Sequence, residues 1–188
     1  MKILVIRLSS IGDIVLTSPV VRILKKQLNA EVHFLTKTNF SSWLSHNPYI
    51  DVIHHYEEGT DKLKSLNFDL IVDLHHNIRS LAVKRALKLP SKSVDKLNIK
   101  KFLLTTFKWN LMPPIHMVDR NLATIEHLGV KNDMQGLDFF IPETETLPQE
   151  FQMNTPFVAV VIGGQHSTKI LPTYKLIELC RQLNRPYV

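Results

Sequence analysis

Lys2-Ile3-Leu4-Val5-Ile6-Arg7-Leu8-Ser9-Ser10-Ile11-Gly12-Asp13 is the stretch from which the fold is read. A short, unbroken apolar run bounded by charges is the mark of a strand buried on both faces, and both-face burial belongs to parallel sheets. The polar turn that follows gives way to helical spacing at Val20, Val21, Ile23, Leu24 and Leu28. Pro19 fits the first position of a helix capped by Ser18; a start near Gly12 with a kink at Pro19 is the alternative. The same alternation continues outward. Strands are expected at 31–35, 52–55 and 70–74, and helices at 40–46, 61–66 and 78–87. Strands separated by helices imply βαβ units, hence an α/β chain with a Rossmann-like parallel sheet flanked by helices.

Farther along, Asn98 is placed to cap a helix to about residue 109. A second helix over 116–128 would be closed by Gly129, and 137–141 reads as a strand. Residues 142–156 carry three prolines and three glutamates with little periodicity, as a linker does. The apolar run 157–162, a Gly-containing turn, a helix over 173–183 and a strand from 186 then repeat the opening scheme. The expected organisation is a first domain over 1–145, a linker over 146–156 and the truncated beginning of a second Rossmann-like domain over 157–188. A lone Cys180 excludes a disulfide framework and suits a reducing cytoplasm.

The net charge of +6 is unevenly spread: residues 79–108 hold nine Lys or Arg against the single acid Asp95, so they carry +8 and the remainder −2. Such a basic face points to an anionic partner, or else to a solvated helix surface. Lysines mixed with Phe102, Leu103, Leu104, Phe107 and Trp109 suit a helix lying on an anionic membrane, or the same residues packed into the domain. Nothing in the sequence resembles a nucleic-acid-binding module. The histidine pairs His54-His55 and His75-His76 lack metal-ligand spacing, so no metal is expected.

Two loops carry groups capable of chemistry, and both follow strands, where ligands of open α/β sheets bind. In the first, Asp13 would stand at the mouth of the crevice, its turn eased by Gly12; a carboxylate there accepts a hydroxyl proton or merely caps a helix. In the second, Gly163-Gly164-Gln165-His166-Ser167-Thr168-Lys169 precedes a helix. Backbone N–H groups, a helix start and a lysine suit a phosphate, and a plain connecting turn is the alternative. His166 is either a diphosphate ligand or an exposed turn residue. With no Walker A and no G-x-G-x-x-G, P-loop NTPases and ordinary NAD dehydrogenases are disfavoured.

Taken together, the two loops resemble the ADP-heptose:lipopolysaccharide heptosyltransferase family. Arg7-Leu8-Ser9-Ser10-Ile11-Gly12-Asp13 and Thr17-Ser18-Pro19 match its opening R-x-S-x-x-G-D and T-x-P. Residues 69–75 with Arg79-Ser80 look like its fourth strand and turn, and Lys169-Ile170-Leu171-Pro172 looks like the start of its donor domain. His75-His76-Asn77 departs from the glutamine and glycine more usual there. The resemblance implies a GT-B type glycosyltransferase of two facing Rossmann-like domains with the active site between them. It implies inverting transfer of heptose from ADP-heptose to the lipopolysaccharide inner core, without metal or other cofactor. Asp13 would be the general base, with Ser10, Gly12, Arg79 and Arg120 as acceptor-binding candidates. Gly163, Gly164, His166, Ser167, Thr168 and Lys169 would hold the donor. The partners implied are the nucleotide sugar, the lipopolysaccharide acceptor and, peripherally, an anionic membrane on the cytoplasmic side. A different nucleotide sugar, or a non-catalytic saccharide- or anionic-lipid-binding module of the same fold, is the alternative. By itself the 188-residue chain is expected not to transfer sugar.

Overall fold

The computed structural model describes residues 1–146, 155–164, 169–183 and 186–187. These fall into two compact units, Met1–Ile141 and Pro142–Val188. In the first, five parallel strands stand in the order β3-β2-β1-β4-β5: β1 (Lys2–Ile6), β2 (Glu31–Thr36), β3 (Val52–His55), β4 (Leu70–Asp73) and β5 (Ser91–Ser93). The registers Ile3↔Val32 and Ile3↔Leu70 put β1 at the centre. Successive strands first run outward on one side of β1, and the chain then returns to its other side. The loops after β1 and β4 therefore part from each other, which opens a crevice at the carboxyl ends of these strands.

Strand alternation divides the core. Ile3, Val5, Val32, Phe34 and Val72 face a cluster completed by Val20, Val21, Ile23 and Leu24 of α2 (Ser18–Leu28) and Leu122 of α6 (Met117–Leu122). Leu4, Ile6, Leu35 and Ile71 face the other side, against Leu63 of α3 (Asp61–Lys64) and Val83 of α4 (Ile78–Leu87). On that second face His33 and His54 share a hydrogen bond between Nδ1 and Nε2 at 2.7 Å, and the edge of Phe68 meets the His33 ring. Burial, then the neighbouring His33, pushes the His54 imidazole down to about 4.

Arg22 ties the end of the unit to its beginning. Its guanidinium is buried in α2, yet it donates to both Asp133 carboxylate oxygens at 2.7 Å, to Asp138 and to the Gly136 carbonyl at 3.0 Å. These carboxylates raise its pKa above the usual guanidinium value, the Asp133 hydrogen bond being the largest cause.

Several expectations are corrected. Both proposed starts of the first helix contribute, because α1 (Ile11–Val15) ends before α2 begins, with Thr17 as the α2 cap. The helix expected at 40–46 is a 3-10 segment, Thr38–Trp43, and the one at 61–66 is the shorter α3. α5 (Asn98–Phe107) begins after Leu97, which holds a left-handed backbone while its N–H donates to Asp95; Asn98 is not the cap. The helix expected over 116–128 breaks into α6 and a 3-10 turn, Glu126–Leu128. Gly129 does close it at φ 78°, a backbone that favours glycine. Residues 137–141 form no strand: the Asp138 N–H donates to Ser18 Oγ at 2.9 Å, and Phe139 and Phe140 pack on Trp43 and Tyr49. β5 is polar and stands outside the strands expected from the sequence.

In the second unit, among the described residues, the run 157–162 forms one bridge, between Val158 and Tyr187, and α7 (Thr173–Gln182) follows Pro172. Most of the anticipated linker, residues 147–154, lies outside the described residues.

Candidate active site

The carboxyl end of β1 delivers Arg7, and α1 delivers Asp13 six residues later. Arg7 is buried, its side chain 7% exposed, and each of its guanidinium nitrogens is engaged. Nε donates to the Ser9 carbonyl at 2.7 Å, Nη1 to the Leu74 carbonyl at 2.6 Å, and Nη2 pairs with Asp13 Oδ2. Asp13 is the third residue of α1 and reaches back to its cap: Ser10 donates its backbone N–H at 3.4 Å and its hydroxyl at 3.1 Å, both to Oδ2. The helix-cap reading of Asp13 is therefore correct as far as it goes. The side chain nonetheless remains 38% exposed, so the carboxylate also opens to solvent. Partial burial pushes its pKa up, but the Arg7 charge and the Ser10 hydrogen bonds outweigh that and leave it below the usual carboxylate value.

Gly12 does not act as expected. It lies inside α1 with no left-handed backbone, and a Cβ added there would meet open space. Neither a tight turn nor a close approach requires glycine at this position.

The loop after β4 forms the other wall. Asp73 is fully buried and accepts hydrogen bonds from the His76 and His75 N–H groups at 2.7 and 3.1 Å and from Ser80 Oγ at 2.9 Å, while Lys84 Nζ lies 3.0 Å away. Burial raises its pKa, but these donors outweigh burial and hold it below the ordinary value. Because Asp73 fixes this turn, it also fixes the Leu74 carbonyl that anchors Arg7. His75 is buried against the same turn, with Asn77 Nδ2 at 2.7 Å from Nε2 and no partner for Nδ1 among the described residues. Burial, followed by the charges of Arg7 and Lys96, pushes His75 down to about 4. Lys96 is likewise lowered, first by burial and then by Arg7. Arg7, Asp13, Asp73, His75 and Lys96 thus share one electrostatic neighbourhood. Of these, the sequence points to Asp13 alone as a site residue; Lys96 stands in its basic run and His75 in the departure from the family pattern, and these are the signals it offers for them.

The other predicted site residues are dispersed. Arg79, near the start of α4, lines a cavity of about 650 Å³ with Lys37, Tyr56 and Glu57. Arg120 donates to the Asp95 carbonyl and lines a different cavity, of about 250 Å³, with Ser93, Leu97 and Pro113. In the second unit Gly163, Gly164 and Lys169 are exposed. A Cβ on Gly164 would come within 3.1 Å of the Lys169 carbonyl, so these two residues lie together. His166, Ser167 and Thr168 lie outside the described residues. No cluster of three or more His, Cys, Asp or Glu suited to a metal occurs among the described residues.

No family model matches the chain. It is 23% identical over 211 aligned residues to lipopolysaccharide heptosyltransferase 1 of Campylobacter coli, with all of this chain and 62% of that protein covered. To lipopolysaccharide heptosyltransferase 3 of Escherichia coli K12 it is 25% identical, covering 90% of this chain and 53% of the other. The chain therefore spans between about half and two thirds of the length of these relatives. Among solved structures, a glycosyl transferase family 9 protein from Veillonella parvula superposes with a TM-score of 0.73 at 17% identity, over 95% of this chain and 58% of the other. The Escherichia coli heptosyltransferase WaaC with ADP gives 0.67 at 17% identity, over 100% and 65%. The parallel sheet is thus the Rossmann-like sheet of GT-B glycosyltransferases. The resemblance carried by residues 7–19 is upheld: in sequence and in fold the chain is heptosyltransferase-like.

Proposed function

We propose that this chain carries the acceptor-activating part of an inverting glycosyltransferase that moves heptose from ADP-heptose to the lipopolysaccharide inner core. The observation that carries the reading is Asp13: an ionised, partly open carboxylate at the carboxyl end of the central strand, where the sheet order reverses. An acceptor hydroxyl attacks the anomeric carbon while its proton passes to Asp13. The bond from that carbon to the diphosphate breaks, and ADP leaves with the negative charge. Positive charge grows on the sugar and negative charge on the leaving group, so a carboxylate and a cation serve opposite ends of the reaction.

The low pKa of Asp13 keeps it deprotonated at neutral pH. An acceptor sugar that displaces water from it raises its basicity as transfer begins. Ser10, Gly12, Arg79 and Arg120 remain the proposed acceptor contacts. Gly163, Gly164 and Lys169, with His166, Ser167 and Thr168, are the proposed diphosphate ligands, acting through backbone N–H groups and the lysine charge without metal or other cofactor. Transfer from a different nucleotide sugar is the alternative within the same chemistry, and a saccharide-binding module without turnover is the alternative outside it.

The proposed setting is the cytoplasmic side of the membrane that bears the acceptor. No helix among the described residues is long and apolar enough to cross a membrane. Peripheral contact through α5 is supported by its exposed Ile99, Phe102 and Phe107, the adjacent Trp109, and Lys101 and Lys108 around them.

The test uses a protein in which this chain is continued to the length of its relatives, assayed with ADP-heptose and lipopolysaccharide core acceptor. Asp13→Asn should lower kcat by about 10²–10⁴-fold while circular dichroism stays unchanged. Turnover equal to the parent would remove Asp13 from the mechanism, and parent turnover only with another nucleotide sugar would change the donor.

A further inference from the structure

We infer that Arg7 is a positioning residue for the base: it locks Asp13 Oδ2 in place and leaves Oδ1 as the single atom that receives the acceptor proton. The inference rests on the reading of Asp13 as the base. It is carried by an asymmetry between the two carboxylate oxygens. Among the described residues, each hydrogen bond that Asp13 accepts from Ser10, by the hydroxyl and by the backbone N–H, falls on Oδ2, and the closest approach of the Arg7 guanidinium is to the same oxygen. Neither hydrogen bond falls on Oδ1. Cap and base therefore do not compete for the same atom. One oxygen fixes the start of α1, and the other is left for the acceptor, on a side chain that is 38% exposed.

Arg7 is suited to this because it cannot swing away. A lone surface cation would follow the carboxylate as it rotates. Here Nε and Nη1 are held by the Ser9 and Leu74 carbonyls, so Nη2 presents a fixed donor to which the carboxylate must align. The Leu74 anchor belongs to the turn organised by buried Asp73, so the rigidity of the β4 loop passes through Arg7 to the base. Holding a base in one orientation lowers the entropy lost on reaching the reactive arrangement. The same cation keeps the carboxylate ionised when part of its solvent shell is removed. Lysine would supply the charge but has one nitrogen where three are used.

Carbon-13 NMR of the aspartate side-chain carboxyls in the 188-residue chain tests this without any turnover. Asp13 should titrate below the ordinary aspartate value of about 3.9. Arg7→Gln should raise that midpoint by about 1 unit or more. Arg7→Lys, which retains the charge and guards against simple misfolding of the glutamine variant, should fall between. In the extended, turnover-competent protein the acidic limb of kcat/KM should move upward in parallel. Arg7→Gln should lower kcat more than it raises KM. If Asp13→Asn abolishes turnover but neither Arg7 variant moves the midpoint or the acidic limb, the Arg7 inference fails and the base stands. If Asp13→Asn keeps full turnover, the base reading fails, and the inference falls with it.

Discussion

Lys84→Met is the sharpest probe of what holds the candidate site together. Lys84 Nζ sits 3.0 Å from Asp73 Oδ2 and donates to Ser93 Oγ at 2.7 Å, with the lysine side chain 13% and the aspartate 0% exposed. At that separation the gross attraction is about 5 kcal/mol for an effective dielectric near 20, most of it offset by the loss of hydration. Methionine keeps the length and apolar stem of the side chain but removes the charge, so Asp73 is left buried without its cation. Breaking a buried pair from one side costs about 3–5 kcal/mol. The four neutral donors that remain, from His75, His76, Ser80 and, at 3.4 Å, Ser93, place the expected loss at the low end, about 3 kcal/mol. With an m-value of about 2 kcal/mol/M, the urea midpoint followed by circular dichroism at pH 7 should fall by about 1.5 M. Adding Asp73→Asn should restore part of the loss, because the orphaned charge disappears with it. A Lys84→Met midpoint equal to the parent, with the double variant simply additive, would refute the view that this pair organises the β4 turn.

Two further outcomes follow from the same geometry. His75 and His54, each pushed down to about 4, stay neutral in the folded chain, whereas an unfolded histidine takes a proton near 6.5. The unfolded state therefore binds more protons between these values. Stability should be full above pH 6.5 and decline as pH falls toward 4, by up to about 3 kcal/mol for each ring. Urea midpoints at pH 7 and pH 5 check this, and a flat profile argues against neutral burial of these rings. On the membrane side, the chain should sediment with vesicles containing anionic lipid at low salt and remain in solution with neutral ones. Phe102→Ser with Trp109→Ser should abolish sedimentation, and absence of binding by the parent would end the α5 reading.

How much the sequence revealed depends on the kind of force each element uses. β1 through β4 were legible because both-face burial leaves unbroken apolar runs, and α2 was legible because its stripe faces the core at helical spacing. β5 was not, since Ser91-Lys92-Ser93 is a three-residue edge strand with one neighbour and little apolar burial. Residues 137–141 looked like a strand because Phe139, Phe140 and Ile141 are apolar, but their backbone pairs with no ladder and the aromatics fill a surface against Trp43 and Tyr49. At the candidate site, the placement of Asp13 just beyond the central strand was legible from motif and position. Its dependence on Arg7 was not, because a hydrogen bond from Arg7 to Leu74 crosses 67 positions and leaves no local pattern. Asp73 gave a similar problem: read as part of a strand end, it is the hub of a turn.

Arg22 sets a condition on how the first unit can be born. Its counterions arrive 111 and 116 positions later in the chain, at Asp133 and Asp138. Domains generally fold as units while the polypeptide is being synthesised, N-terminal parts first. Until residue 138 has left the ribosome, α2 must either keep its guanidinium wet or dock with an unmatched charge. Nascent chains released earlier are therefore expected to hold α2 loosely, and attachment of that helix should coincide with emergence of the acidic pair.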